Sequence, residues 1–230
     1  MREALENPMR VKLRLILTKN ASDRLAEALK LSDVEAEIVD PRKFSAPLDP
    51  QSVHQGAAIE VKPLDWGSVS ELCAINRDDN PIVLLLDRVS DPHNVGAILR
   101  SAEVFGARAV IAPRRHSAPE TGALAKAASG ALERQPYLQV PNLSRSMNAL
   151  KEMGYKIFGL DGEANATLED ALEVHRSGPI ALALGSEGPG LRELTKETCT
   201  ELVRITASGG FGSLNVSNAA AVALYAARKP

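Results

Sequence analysis

IVLLL (Ile82–Leu86), followed closely by DPHNVGAILRSAEVFG (Asp91–Gly106), sets the architecture of this chain. An uninterrupted apolar run of that length suits a strand covered on both faces, and the segment behind it carries its apolar side chains at helical spacing. Val95, Ile98, Leu99, Ala102 and Phe105 form one stripe, which predicts a helix over Val95–Phe105. Arg100 then falls on roughly the opposite face, where periodicity alone makes it a solvated surface arginine. Asn94 can cap the helix with its side chain, and Gly96 lets another chain segment or a ligand approach the first turn. Open α/β sheets bind their ligands at such strand-to-helix turns.

The alternation continues to the C-terminus. Ala109–Ile111, Ile157–Leu160, Ile180–Leu184 and Leu202–Ile205 read as strands, Ser144–Met153 as a helix closed by Gly154, and Asn215–Arg228 as the last helix. Buried strands alternating with helices predict a parallel sheet, hence an α/β domain over residues 81–230. Ahead of it, Leu13–Leu17 reads as a strand, Ser22–Leu31 as a helix and Glu37–Val39 as a short strand before Pro41. Residues 1–66 thus form a small α/β domain of their own, and the polar stretch 67–80 suits a linker.

Two further turns match the first in kind. LGSEGPGL (Leu184–Leu191) follows the strand IALAL, and SLNVSNAA (Ser213–Ala220) opens an alanine-rich run. The first of these lacks the G-x-G-x-x-G pattern, and Pro189 removes a donor that a phosphate cradle would use. That disfavours a dinucleotide site and a nucleotide-dependent oxidoreductase. Glu187 is either an exposed loop carboxylate or a positioned acceptor. Ser213, Asn215, Ser217 and Asn218 exceed what capping requires and offer hydroxyl and amide groups to a polar substrate or cofactor.

Composition limits the alternatives. Twenty-seven basic against 29 acidic residues leave a net charge of -2, so any polyanion site must be local. Residues 1–30 carry seven basic and four acidic side chains, an excess that suits a solvated helix face or an RNA-facing one equally. No apolar run approaches the roughly 20 residues of a membrane span, and no secretory leader pattern is present, so the chain reads as cytoplasmic, or as an organelle protein already trimmed. Cys73 and Cys199 have neither CxxC spacing nor clustered histidines beside them, which predicts no disulfide framework and no metal site.

DPHNVGAILRSAEVFGA, LGSEGPGL and SLNVSNAAAVALY, in that order, resemble the three motifs of the SpoU (TrmH-like) RNA ribose 2'-O-methyltransferases of the SPOUT superfamily. The likeness runs from Leu84 to the C-terminus. VHQG (Val53–Gly56) and RRHSAPETGALAKAASGALE (Arg114–Glu133) are similar to the subgroup that modifies a guanosine of large-subunit ribosomal RNA. REALENPMR resembles that subgroup's RNA-binding domain, a fold like that of one ribosomal-protein family. The subgroup usually begins a few residues earlier, so the N-terminal domain is expected to be slightly trimmed. Ile205, Thr206 and Ala207 stand where relatives often read Ile-Pro-Met.

The resemblance implies a parallel-sheet SPOUT domain with a C-terminal trefoil knot, a homodimer, S-adenosylmethionine as methyl donor and a ribose hydroxyl of RNA as acceptor. It gives Arg100 the task of activating the hydroxyl. Since arginine is effectively always protonated, that task is electrostatic activation and phosphate clamping rather than proton abstraction. The resemblance also makes Asn94 and Glu187 the polar partners that hold Arg100 and the cofactor end of the site, with Ser213, Asn215 and Ser217 orienting the same network. Leu184, Gly185, Gly190, Ile205, Leu214 and Asn215 would line the adenosine pocket. Transfer RNA as substrate, and a non-catalytic RNA-binding protein of the same fold, stay open as alternatives.

Overall fold

Separate sheets organise two compact units, Met1–Asp65 and Trp66–Pro230. The structure is a computed structural model that describes residues 1–48, 54–76, 80–175, 177–208 and 214–228. In the first unit α1 (Arg2–Glu6) precedes β1 (Lys12–Thr18), α2 (Lys19–Arg24), α3 (Ala26–Lys30), β2 (Ala36–Val39) and β3 (Ala57–Val61). β1 lies centrally, parallel to β2 and antiparallel to β3. Leu5, Leu15, Leu17, Ala21 and Ala28 form the buried core beside it. The helix predicted over Ser22–Leu31 is two helices. Thr18 starts the first one early by accepting from the Ala21 amide, and Leu25 then leaves helical geometry at φ -102°, ψ 7°.

The second unit runs α4 (Val69–Leu72), β4 (Ile82–Asp87), α5 (Pro92–Val104), β5 (Ala109–Pro113), α6 (Gly122–Ala128), β6 (Tyr137–Val140), α7 (Leu143–Glu152) and β7 (Lys156–Leu160). Then come β8 (Ala166–Thr167), α8 (Leu168–Val174), β9 (Ile180–Gly185), α9 (Glu193–Thr198), β10 (Glu201–Arg204) and α10 (Val216–Arg228). The seven strands lie in the order β6-β5-β4-β9-β7-β10-β8. All neighbouring pairs are parallel.

β4 shows why the sheet is buried on both faces. Its side chains alternate, with Ile82, Leu84 and Leu86 in one apolar cluster and Val83 and Leu85 in the other. Each fully buried aliphatic side chain contributes about 1.5–3 kcal/mol relative to exposure. The first cluster is covered by residues of α5, α6, α8 and α10, the second by residues of α7 together with Cys73 and Cys199. In the polar stretch 67–80, Ser68 and Glu71 form a capping box on α4, and Val69, Leu72 and Ile75 pack against the second cluster.

Two local features fix α5. Its cap is Asp91 rather than Asn94: the carboxylate accepts from the His93 amide at 2.9 Å, with Pro92 opening the helix. Gly96 meets α6, not a ligand. A Cβ built there would stand 2.5 Å from Ala127 Cβ and 2.7 Å from the Ala128 amide nitrogen.

The strand order also locates a crevice. From β4 the chain steps outward through β5 and β6, then returns to place β7 on the far side of β9. Such a reversal opens space beyond the C-terminal ends of the strands, and α5 and the 185–190 loop begin at that edge.

Candidate active site

Asn94 stands in the first turn of α5, Glu187 in the loop after β9, and Asn215 just ahead of α10, and their side chains join. Asn94 Nδ2 donates to Glu187 Oε1 at 3.1 Å, while Asn215 Nδ2 donates to Asn94 Oδ1 at 3.0 Å and to Glu187 Oε1 at 2.5 Å. Asn215 Oδ1 in turn accepts from the Ser217 amide at 2.9 Å and from Ser217 Oγ at 2.6 Å. Asn215 therefore caps α10 with its oxygen and serves the site with its nitrogen. Ser213, expected in the same cluster, lies outside the described residues.

The glycines of the second loop serve the loop itself. A Cβ on Gly185 would fall 2.0 Å from the Gly190 carbonyl carbon, because Ser186 and Gly190 bridge and fold the loop back. Gly188 and Gly190 hold left-handed backbone at φ 83° and 69°, and a Cβ on either would meet nothing within 4 Å among the described residues. Open space thus borders the loop.

Beneath it lies a carboxylate that the sequence reading overlooks. Asp87 ends β4 fully buried. It accepts from Arg192 Nε at 2.7 Å, the Arg192 amide at 2.9 Å and Thr195 Oγ1 at 2.7 Å. This pair ties the end of β4 to the first turn of α9 and so supports the 185–191 loop from below. Its signal in the sequence is a carboxylate placed directly after an uninterrupted buried strand. A second tie runs from Lys196 to Asp161, just past β7, at 2.6 Å. That hydrogen bond holds the Asp161 carboxyl below the usual carboxylate range.

Arg100 stands apart from the cluster within one chain. It is exposed on α5, beside a shallow recess it shares with Ala97, Ser101, Val104 and Phe105, and it donates to none of Asn94, Glu187 or Asn215. Among the proposed pocket residues, Leu184 is buried. Ile205 is half-buried against the core, and Leu214 is exposed beside Asn215.

In the first unit the basic excess is largely engaged. Arg14 pairs with Glu37, Lys12 with Asp33, Lys19 with Asp23 and Lys30 with Glu27, while Arg10 and Arg24 donate to the backbone carbonyls of Lys62 and Gln55. His54 of the VHQG motif stacks on Phe44 at 4.4 Å and 7°, and its Nδ1 accepts from the Gly56 amide. Val53 lies outside the described residues. Among the described residues, no group of His, Cys, Asp and Glu is suited to a metal ion. No helix among them is long and apolar enough to cross a membrane.

Comparison with known proteins places this chain. A family model described as the SpoU rRNA Methylase family matches residues 81–225. A 23S rRNA (guanosine-2'-O-)-methyltransferase RlmB from Burkholderia sp is 40% identical over 219 residues, covering 95% of this chain and 82% of that protein. The protein of the same name from Photobacterium profundum is 39% identical over 224 residues, covering 96% and 90%. Among solved structures, the SpoU methyltransferase AviRb from Streptomyces viridochromogenes, in complex with the cofactor AdoMet, superposes with a TM-score of 0.76. That likeness covers 98% of this chain and 85% of AviRb at 24% identity, and it shows the shared fold.

Proposed function

Because this chain belongs to the SpoU rRNA methylase family, we propose that it transfers a methyl group from S-adenosylmethionine to a ribose 2'-hydroxyl of a guanosine in large-subunit ribosomal RNA. The observation that carries the reading is the hydrogen-bonded convergence of Asn94, Glu187 and Asn215, one residue from each of three motifs far apart in the chain. The substrate follows from the names of relatives similar over nearly the whole chain. Residues 1–66 serve as the RNA-binding domain and 81–230 as the methyltransferase domain in this reading.

The residues present fit the cofactor. Its cationic methionine end suits the Glu187 carboxylate, and its adenosine suits the backbone of Leu184, Gly185 and Gly190 with the exposed Leu214 and half-buried Ile205 as apolar walls. Open space beside Gly190 leaves room for it. When bound, the cofactor supplies an electrophilic methyl group. The protein's part is to hold the ribose hydroxyl in line and to favour its ionised form. Arg100 does this electrostatically, since its guanidinium keeps its proton. Asn94, Asn215 and Ser217 orient the carboxylate that faces the cofactor, and Ser213 is read as a further member of that network.

Arg100 and the exposed Val104 lie on one face of α5, and α10 exposes Val222 and Tyr225. These apolar side chains support a homodimer, and association through α5 would set Arg100 at the subunit boundary. Sedimentation should give twice the monomer mass; a monomer that is fully active would remove that part of the reading.

The decisive experiment is transfer of labelled methyl from S-adenosylmethionine to protein-free 23S-type rRNA and, in parallel, to transfer RNA, with ribose methylation mapped by sequencing. One 2'-O-methylguanosine in the ribosomal RNA is expected. Label on transfer RNA alone would keep the chemistry and overturn the substrate, and cofactor binding without transfer to either would favour a non-catalytic RNA binder.

A further inference from the structure

The described arginines of the second unit divide into two groups. The side chains of Arg108, Arg134, Arg192, Arg204 and Arg228 donate to carbonyls or carboxylates of their own chain. Arg88, Arg100, Arg114, Arg115 and Arg145 are exposed, and their side chains have no hydrogen-bond or ion-pair partner among the described residues. Arg100 belongs to the site already described. The other four share one address.

Arg88 directly follows β4, Arg114 and Arg115 directly follow β5, and Arg145 sits in the first turn of α7, just beyond β6. β4, β5 and β6 are adjacent and parallel. Their C-terminal ends therefore form one edge, the same edge from which α5 and the 185–190 loop start. Fold stability does not account for these positions. Arg145 places a cation where the helix dipole disfavours one, its amide being held by the Asn142 cap. Arg88 holds left-handed backbone at φ 62°, as does His116 at 64° beside Arg115, a conformation that non-glycine residues adopt at a cost. The chain has a net charge of -2 overall, yet four of the second unit's described arginines without a partner stand along this one edge.

We propose that Arg88, Arg114, Arg115 and Arg145 form a phosphate ledge that holds the RNA backbone flanking the target nucleotide, a step that rests on the methyltransferase reading above. The ledge crosses two inter-strand spacings, about 10 Å, enough for two or three successive phosphates. Guanidinium groups suit phosphate oxygens because their donors are paired and planar. Contacts of this kind position the strand and carry no base information, so sequence choice lies elsewhere.

The test compares the unaltered protein with Arg114→Ala/Arg115→Ala, Arg145→Ala and the control Lys156→Ala, which lies at the opposite, N-terminal edge of the sheet. Binding of in vitro transcribed 23S-type rRNA is titrated at several salt concentrations, and methyl transfer and cofactor affinity are measured alongside. The double variant should weaken RNA binding about tenfold or more and flatten the dependence of log K on log salt by about 1.4, at roughly 0.7 for each phosphate no longer neutralised. Arg145→Ala should remove about half that slope, while Lys156→Ala, kcat and cofactor affinity stay within about twofold. An unchanged slope in the double variant, or a fall in kcat with unaltered RNA binding, overturns the ledge. Should the unaltered protein bind the RNA but fail to methylate it, the proposed function fails and the binding comparison still decides the ledge.

Discussion

The side-chain amide of Asn215 is divided between two tasks: its nitrogen reaches Asn94 Oδ1 at 3.0 Å across 121 positions of sequence, and its oxygen caps α10 through the Ser217 amide at 2.9 Å. Asparagine does both and aspartate does only the second. Asn215→Asp should therefore keep the helix cap but lose the donor and set a second carboxylate against Glu187. Activity should fall at least about 100-fold, the order of removing one oriented polar group from an active site, with a melting temperature close to that of the unaltered protein. Asn215→Ala should lose the activity and in addition about 1 kcal/mol of cap energy. Methyl-transfer rates set beside thermal melts check this; an active Asn215→Asp protein would reduce the residue to a helix cap.

Arg100 makes no hydrogen bond to Asn94, Glu187 or Asn215 in its own chain, so the role proposed for it is separable from cofactor binding. Arg100→Ala should abolish methyl transfer and leave the affinity for S-adenosylmethionine within about threefold, as expected where an interaction is made only in the transition state. Isothermal titration with the cofactor alone, beside the transfer assay, separates the two. Loss of cofactor binding would place the guanidinium in the pocket instead.

How far these features can be read in the sequence depends on their range. β4 and β9 stand out because uninterrupted apolar runs have one solution in a sheet covered on both faces. β6 does not, since its four residues between Pro136 and Pro141 are too few to show a period. Gly96 signals a close approach without saying to what, and the answer, α6, lies about 30 residues away in a segment of small residues with little amphipathic contrast. The apolar stripe starts the helix at Val95 and leaves Asn94 as its cap, whereas the helix begins at Pro92 and Asp91 fills the cap. The real partner of Asn94, Glu187, becomes visible only when the sheet brings β4 and β9 side by side. Asp87 is hidden for the same reason, because Arg192 and Thr195 reach it only after folding.

The α5–α6 contact makes Gly96 a stability residue. A methyl group there would overlap Ala127 and the Ala128 backbone, and the Ala128 backbone cannot swing away as a long side chain would. Overpacking of this kind costs about 1–3 kcal/mol, offset in part by about 1 kcal/mol of helix propensity. Gly96→Ala should lower the urea midpoint, and Gly96→Val should lower it further. Gly122→Ala, in the first turn of α6 where a Cβ meets nothing within 4 Å among the described residues, should keep it or raise it slightly.

Asp87 is fully buried and accepts from three donors on Arg192 and Thr195. Truncation would leave the Thr195 hydroxyl and the Arg192 amide unpaired beneath the 185–191 loop. Asp87→Ala should therefore cost about 3 kcal/mol, the lower end for breaking a buried ion pair, because the half-exposed Arg192 guanidinium can turn to water. The cofactor should also bind more weakly as the loop loosens. Unfolding by urea and cofactor titration test the two effects, and a stability loss below about 1 kcal/mol would class the pair with exposed salt bridges.

Burial pushes the thiols of Cys73 and Cys199 up to about 11, outweighing the opposing pull of Arg108 on the first and Lys151 on the second. The neutral thiol is the favoured form, so the reactive thiolate is scarce at neutral pH and becomes plentiful only as the pH climbs toward 11. In the folded protein both cysteines should resist iodoacetamide at pH 8, and both should react at the ordinary rate in denaturant. The logarithm of the folded-state rate should rise with unit slope between pH 8 and 10 without levelling near the ordinary thiol value. Mass spectrometry of alkylated peptides resolves the two sites, and a plateau near pH 9 at either one would mean that its sulfur is open to water.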